Sequence, residues 1–359
     1  MSDDEADPDL LALLRQSLGL SLTGQKDTPA ETKVLEGARH IYDNSIDVAI
    51  DSQGTRAAAE SIWTSMCRKE YSTKTWSTHE LHPKAKNEDT INLIFTIDLL
   101  NFSFWSESEL DQRFAVHYRD KNWTGYWSLV AALQRALDED IPITSSDFWQ
   151  SEDECSKDLV RWVFRSATNE EIPLFDERLA CLREAGRVLY ERFNCRFLNC
   201  INEASGSAAA LVNLLVENFP CFNDEAGFEG RNVRFYKRAQ ILVADLWACF
   251  EGEGYGKFRD INEITMFADY RIPQILHNLG CLRYSPPLEN HIRQLKLISE
   301  GHTWEVELRG SMIPSNSLKT HIDLSHRLQY LVRGADKDPD SPATSRSQCE
   351  RGPNRLLSL

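Results

Sequence analysis

No apolar run in the 359-residue chain approaches the roughly 18 residues that a membrane span needs, so a membrane-spanning role is not expected. No apolar signal segment precedes the nine cysteines, and none of them forms a close C-x-x-C pair. They read as reduced, mostly buried thiols of a cytoplasmic or nuclear protein. A basic excess is also missing: 55 acidic against 40 basic residues leave a formal charge of −15, a field that repels duplex DNA and bulk RNA. A single phosphate is a different ligand, because two or three arginines or lysines around one pocket hold it whatever the net charge. There is no G-x-S-x-G elbow for acyl transfer. Gly252, Gly254 and Gly256 follow a helical pattern and precede no strand, which removes a dinucleotide fingerprint. His79 and His82 in HELHPK have Pro83 behind them and no further ligand at H-E-x-x-H spacing, so neither a metal nor a cofactor is expected.

What is present is a core. Hydrophobic residues make up 42% of the chain, enough for one large domain, and nine tryptophans supply planar surfaces that serve either a core or a pocket for a flat ring system. Residues 1–32 are acidic and polar and read as a flexible arm; residues 335–359, rich in Pro, Ser and charge, read as a disordered tail. Between them, residues 33–334 form the expected domain. Helical periodicity dominates it: Phe235, Ala239, Leu242, Leu246 and Phe250 recur at steps of three and four, and similar stripes run through residues 177–193 and 207–219. Strand-like alternation is confined to short pieces such as FAVHYRD (114–120). The expectation is a mainly α domain with a few short strands near its N-terminal half.

Three stretches can carry chemistry. In ITMFADYRIPQILHNLG (264–280), Pro273 fits the first turn of a helix, which places Asp269 on the approach to its N-terminus. Asp269 then either faces a positive charge growing on a ribose C1' or simply assists the helix start. Asp245 lies among Val243, Ala244, Leu246 and Trp247, where an acid is costly unless it is functional or paired, and Arg238, seven residues earlier, offers a structural ion pair. The run LLNFSFW (99–105) after Asp98 either clamps a planar base with Phe104 and Trp105 or packs as a buried turn.

The blocks NFSFW (101–105), GYWSL (125–129), RALDEDIPIT (135–144), FYKRAQILVADLW (235–247) and ITMFADYRIPQ (264–274) together resemble the queuosine salvage proteins, queuosine 5'-phosphate N-glycosylase/hydrolases, over about residues 41–310. That resemblance implies a single helical domain similar in fold to the helical DNA base-excision glycosylases, acting on free queuosine 5'-monophosphate without stable binding of nucleic acid. It implies catalytic roles for Asp269 and Asp245, with Asp269 as nucleophile or oxocarbenium stabiliser, and base contacts from His79 and Phe267, with Tyr270 in the same FADYR motif. Lys237, Arg238 and Arg271 are the candidate phosphate contacts. After EVELRG (305–310) the chain departs from the family pattern, and the aromatic segment with two aspartates and a tyrosine that the family carries there is missing. An impaired, nucleotide-binding member is therefore the alternative reading.

Overall fold

Apolar residues spaced three and four apart through the middle of the chain fold into helices in the computed structural model, which describes residues 30–69, 76, 78–109 and 111–313. The arm and the tail expected from composition lie outside the described residues, apart from 30–32. Helix α1 (Val34–Asn44) leads to strand β1 (Val48–Ile50), α2 (Ser52–Lys69) and α3 (Glu88–Leu99). A hairpin, β2 (Ala115–Tyr118) and β3 (Lys121–Thr124), then precedes α4 (Tyr126–Asp138), α5 (Ser146–Gln150), α6 (Lys157–Val163), α7 (Phe175–Phe193), α8 (Phe197–Glu203) and α9 (Ala208–Asn218). A second hairpin, β4 (Glu225–Phe228) and β5 (Arg231–Arg234), feeds α10 (Lys237–Cys249); α11 (Ile272–Asn278), β6 (Leu282–Tyr284), α12 (Pro286–Arg293) and α13 (Thr303–Ser311) complete the described chain.

The mainly α expectation holds. The placement of the strands does not: among the described residues there are three antiparallel two-stranded pairs, of which only β2–β3 lies wholly in the N-terminal half. β4 pairs with β5, with Ala226 opposite Val233, and β1 pairs with the distant β6, with Val48 opposite Tyr284 and Ile50 opposite Leu282.

Helix α10 is the centre. Eleven of its thirteen residues are buried, including Lys237 and Asp245, so it reads hydrophobic nearly all round, as a helix enclosed by neighbours does. It packs against α3 and α9. The ends of α9 and α3 are satisfied locally: Ser207 Oγ accepts from Ala210 N at 3.1 Å, Asp260 accepts from Ala208 N at 2.6 Å, and Asn87 Oδ1 accepts from Thr90 N at 3.1 Å. Helix α13 closes on α1 through Gly310, where a Cβ would meet Ile41 carbons at 2.5–2.7 Å. Four tryptophans, Trp76, Trp123, Trp127 and Trp149, belong to the core, whereas Trp63, Trp105 and Trp162 are exposed.

Candidate active site

The segment from Ile264 to Ala268 runs buried between α10 and α13 and delivers Asp269. Its path is set by side chains from both helices. Gln240 of α10 accepts from Thr265 N at 2.8 Å and Thr265 Oγ1 at 3.1 Å, while Arg309 Nε of α13 donates to the Ala268 carbonyl at 3.0 Å. Asp269 is half-buried. Its Oδ1 accepts from Arg271 N at 2.8 Å and Ile272 N at 2.9 Å, the start of α11, and its Oδ2 accepts no hydrogen bond among the described residues. Asp269 thus assists the start of α11 through one oxygen, and the other is uncommitted among the described residues.

Beside it stands Lys237, the first residue of α10 and only 6% exposed. Its amide donates to Asp224 Oδ2 at 3.1 Å, but its ammonium has no hydrogen-bond partner among the described residues. Burial pulls the lysine below its ordinary pKa of 10.5, against the charges of Asp269 and Asp224 that favour its protonated form. A buried cation without a fixed partner is costly, and the cost is relieved when an anionic or polar ligand reaches it.

Asp245 is 2% exposed on the same helix, eight residues or about 12 Å of helix rise beyond Lys237. The ion pair with Arg238 does not form. Arg238 donates to the carbonyls of Leu99, at 2.7 Å, and Cys221, and lies over the rings of Phe102 and Phe222. Carbonyl acceptors exist at every residue, so the side-chain spacing was no guide to the partner. Arg238 is thus committed to two carbonyls between two rings.

His79 is half-buried and stacks on Trp127, with centroids 3.4 Å apart and planes 15° off parallel. Its Nδ1 accepts from Leu81 N at 3.2 Å, so a neutral His79 carries its proton on Nε2. His82 is buried and differently engaged, with Nδ1 2.7 Å from the Trp76 carbonyl and Nε2 3.2 Å from the Tyr126 hydroxyl. Among the described residues no group of three or more His, Cys, Asp or Glu is placed to hold a metal ion.

The run after Asp98 forms a buried turn around a residue that sequence reasoning passed over. Arg178 of α7 is fully buried and donates to the carbonyls of Leu100, Phe102 and Ser103. Asn101 donates to Asp98 Oδ1 at 3.3 Å. Phe104 is half-buried against the core, with the Arg178 guanidinium 5.3 Å from its ring, and Trp105 is 37% exposed. Phe267 is buried, while Tyr270 and Arg271 are half-buried. The start of α10 thus brings Lys237 next to Asp269, with Phe267, Tyr270 and Arg271 flanking Asp269 in the chain; His79 stacks on Trp127, and Phe104 and Trp105 lie in the turn.

The family model for the queuosine salvage protein matches residues 81–327, and the chain belongs to that family. The match runs seventeen residues past Gly310, further than the resemblance in the sequence extended. Among curated relatives, the queuosine 5'-phosphate N-glycosylase/hydrolase of Mus musculus is 47% identical over 279 residues, covering 77% of this chain and 81% of the relative. Proteins of the same name from Schizosaccharomyces pombe, 43% identical with 79% and 83% covered, and Sphaerobacter thermophilus, 40% identical with 78% and 82% covered, are similarly close.

Proposed function

We propose that this chain hydrolyses the N-glycosidic bond of queuosine 5'-monophosphate and releases queuine for reuse in tRNA. The observation that carries the proposal is Asp269, held by two backbone N–H groups through one oxygen and left with the other uncommitted, beside a buried ammonium. Breaking an N-glycosidic bond develops positive charge on C1' of the sugar, and a carboxylate oxygen already fixed in place stabilises that charge electrostatically or captures it covalently. Water then attacks C1', and one molecule of water is consumed for each base released. No electrons change hands, so the hydrolysis needs no redox cofactor.

In this proposal Lys237 and Arg271 hold the phosphate or the sugar oxygens, Phe267 and Tyr270 border the base, and His79 presents Nε2–H to its edge and helps the base leave. Asp245, enclosed in α10, is the second candidate acid. The ligand is a mononucleotide and not a nucleic acid, in keeping with the charge of −15. No helix among the described residues is long and apolar enough to cross a membrane. We assign the activity to the cytoplasm, with the nucleus as a second location; the eight described cysteines, all unpaired, support a reducing compartment.

The deciding experiment is incubation of the protein with queuosine 5'-monophosphate and detection of free queuine by mass. Queuine release by the parent that falls at least about a hundredfold in Asp269→Asn is the expected result. Tight binding of the nucleotide without release would instead favour an impaired member, the reading raised by the sequence after Gly310; the part of that segment beyond Ile313 lies outside the described residues.

A further inference from the structure

The carboxylate Asp269 and the ammonium Lys237 come from chain segments some thirty residues apart, and one buried ion cluster ties both to the same point. Arg309 of α13 has a side chain 6% exposed. Its Nη2 donates to Asp224 Oδ2 at 2.5 Å, its Nη1 to Glu305 Oε1 at 3.2 Å and its Nε to the Ala268 carbonyl at 3.0 Å, and its guanidinium lies 3.9 Å from the centre of the Phe235 ring. Every edge of the guanidinium therefore meets a different segment. Asp224 completes the link. The Oδ2 atom that accepts from Arg309 also accepts the Lys237 amide at 3.1 Å, and the Asp224 carbonyl accepts from Phe235 N at 3.0 Å and Tyr236 N at 3.2 Å. Tyr236 there takes a left-handed backbone, φ 49°, which bends the chain sharply into α10.

We infer that Arg309 and Asp224 are positioning residues for the proposed hydrolysis, joining the backbone of Ala268, next to Asp269, to the backbone of Lys237 through one bridge and so fixing how the carboxylate and the ammonium face the substrate. The inference rests on the proposed activity of that site. Arg309 spends one donor on the residue before Asp269, and Asp224 shares one oxygen between Arg309 and the first amide of α10. Misplacement of a reacting group by about 1 Å costs on the order of a hundredfold in rate. A point charge in place of the planar fork cannot reproduce three divergent hydrogen bonds.

The test uses the full chain with Arg309→Lys and, because Arg309 is buried, the milder Asp224→Asn as a second variant. Folded variants should lose about tenfold to a hundredfold in kcat through the displaced carboxylate, with KM raised as well through the displaced ammonium. Added to Asp269→Asn, Asp224→Asn should remove less than it removes from the parent, because one of the two residues it positions is already disabled; a general structural defect would remove as much again. Hydrogen exchange supplies a readout independent of turnover: the Arg271 and Ile272 amides, which donate to Asp269, should exchange faster in both variants, while amides of the distant α5–α7 pair keep their parental rates. Parental kcat in either folded variant overturns the inference. Should the parent chain release no queuine, its functional assignment fails on its own, and the exchange measurement alone decides, with unchanged Arg271 and Ile272 rates overturning the positioning role.

Discussion

At Asp269 a single carboxylate serves two ends, and substitution separates them. In Asp269→Asn the amide oxygen can keep both contacts to Arg271 and Ile272 while an NH2 group takes the place of the uncommitted oxygen. The fold and most of the affinity should survive, and queuine release should fall at least about a hundredfold, the size seen when a charge acting in the transition state is removed. Single-turnover assays alongside nucleotide binding check this; near-parental release would transfer the role to Asp245. Lys237→Met probes the neighbouring ammonium. The lysine's pKa in the folded protein lies below 10.5, so the charged form is disfavoured by folding, and the chain is penalised for it at neutral pH. Replacing it should raise thermal stability, and the gap to the parent should close as pH rises through 10.5, where the unfolded chain also loses its proton. Affinity for the phosphorylated nucleoside should meanwhile drop about ten- to a hundredfold, the worth of one charge-assisted hydrogen bond. A variant both less stable and equally tight would contradict the placement of Lys237 against the ligand.

Among the elements, the helices were legible because burial repeats with the helical period: the stripes over 177–193 and 207–219 became α7 and α9. Pro273 did mark the first turn of α11, with Asp269 before it. The strands of the C-terminal half were not legible. β4–β5 is a four-residue hairpin turned by Glu229 and Gly230, both with positive φ, in a stretch rich in charge and Asn, and β1 and β6 find each other across most of the chain. Neither pairing leaves a period to read. Arg178 went unseen because it acts through backbone carbonyls that carry no side-chain signature, and Asp224 because its side-chain partner Arg309 stands 85 positions away. Arg309 did leave one: Glu305 and Arg309 stand four apart, a helical ion-pair spacing, within EVELRG. Glycine 310, next to it, gives a prediction for α13 as an element. A methyl group there would press on Ile41 of α1 at 2.5–2.7 Å, so Gly310→Ala should destabilise by about 1–3 kcal/mol, measured by denaturant unfolding. An unchanged midpoint would mean that α1 and α13 pack less closely than described.

For the molecule as a whole, the charge of −15 sets what it will not hold. Binding to bulk tRNA or duplex DNA at physiological salt should be weak, while the mononucleotide binds through its local cations. Filter binding across a salt series tests this, and submicromolar tRNA affinity with a steep salt slope would defeat the mononucleotide assignment.

The pairing of β1 with β6 has a consequence for how the chain comes to be folded. Glu307 accepts the amides of Ile46, Asp47 and Val48 at 2.7–3.2 Å, contacts that span 259 to 261 positions of sequence. On a ribosome, the segment around β1 emerges early and must wait, with its N–H groups bare, until nearly the whole domain has been synthesised. Helix pairs such as α5–α7 can settle during translation, but closure of the structure is a late event with a large loop entropy to overcome. The waiting strand edge is open meanwhile to pairing with another nascent chain, which makes this seam the point where chaperone protection matters most.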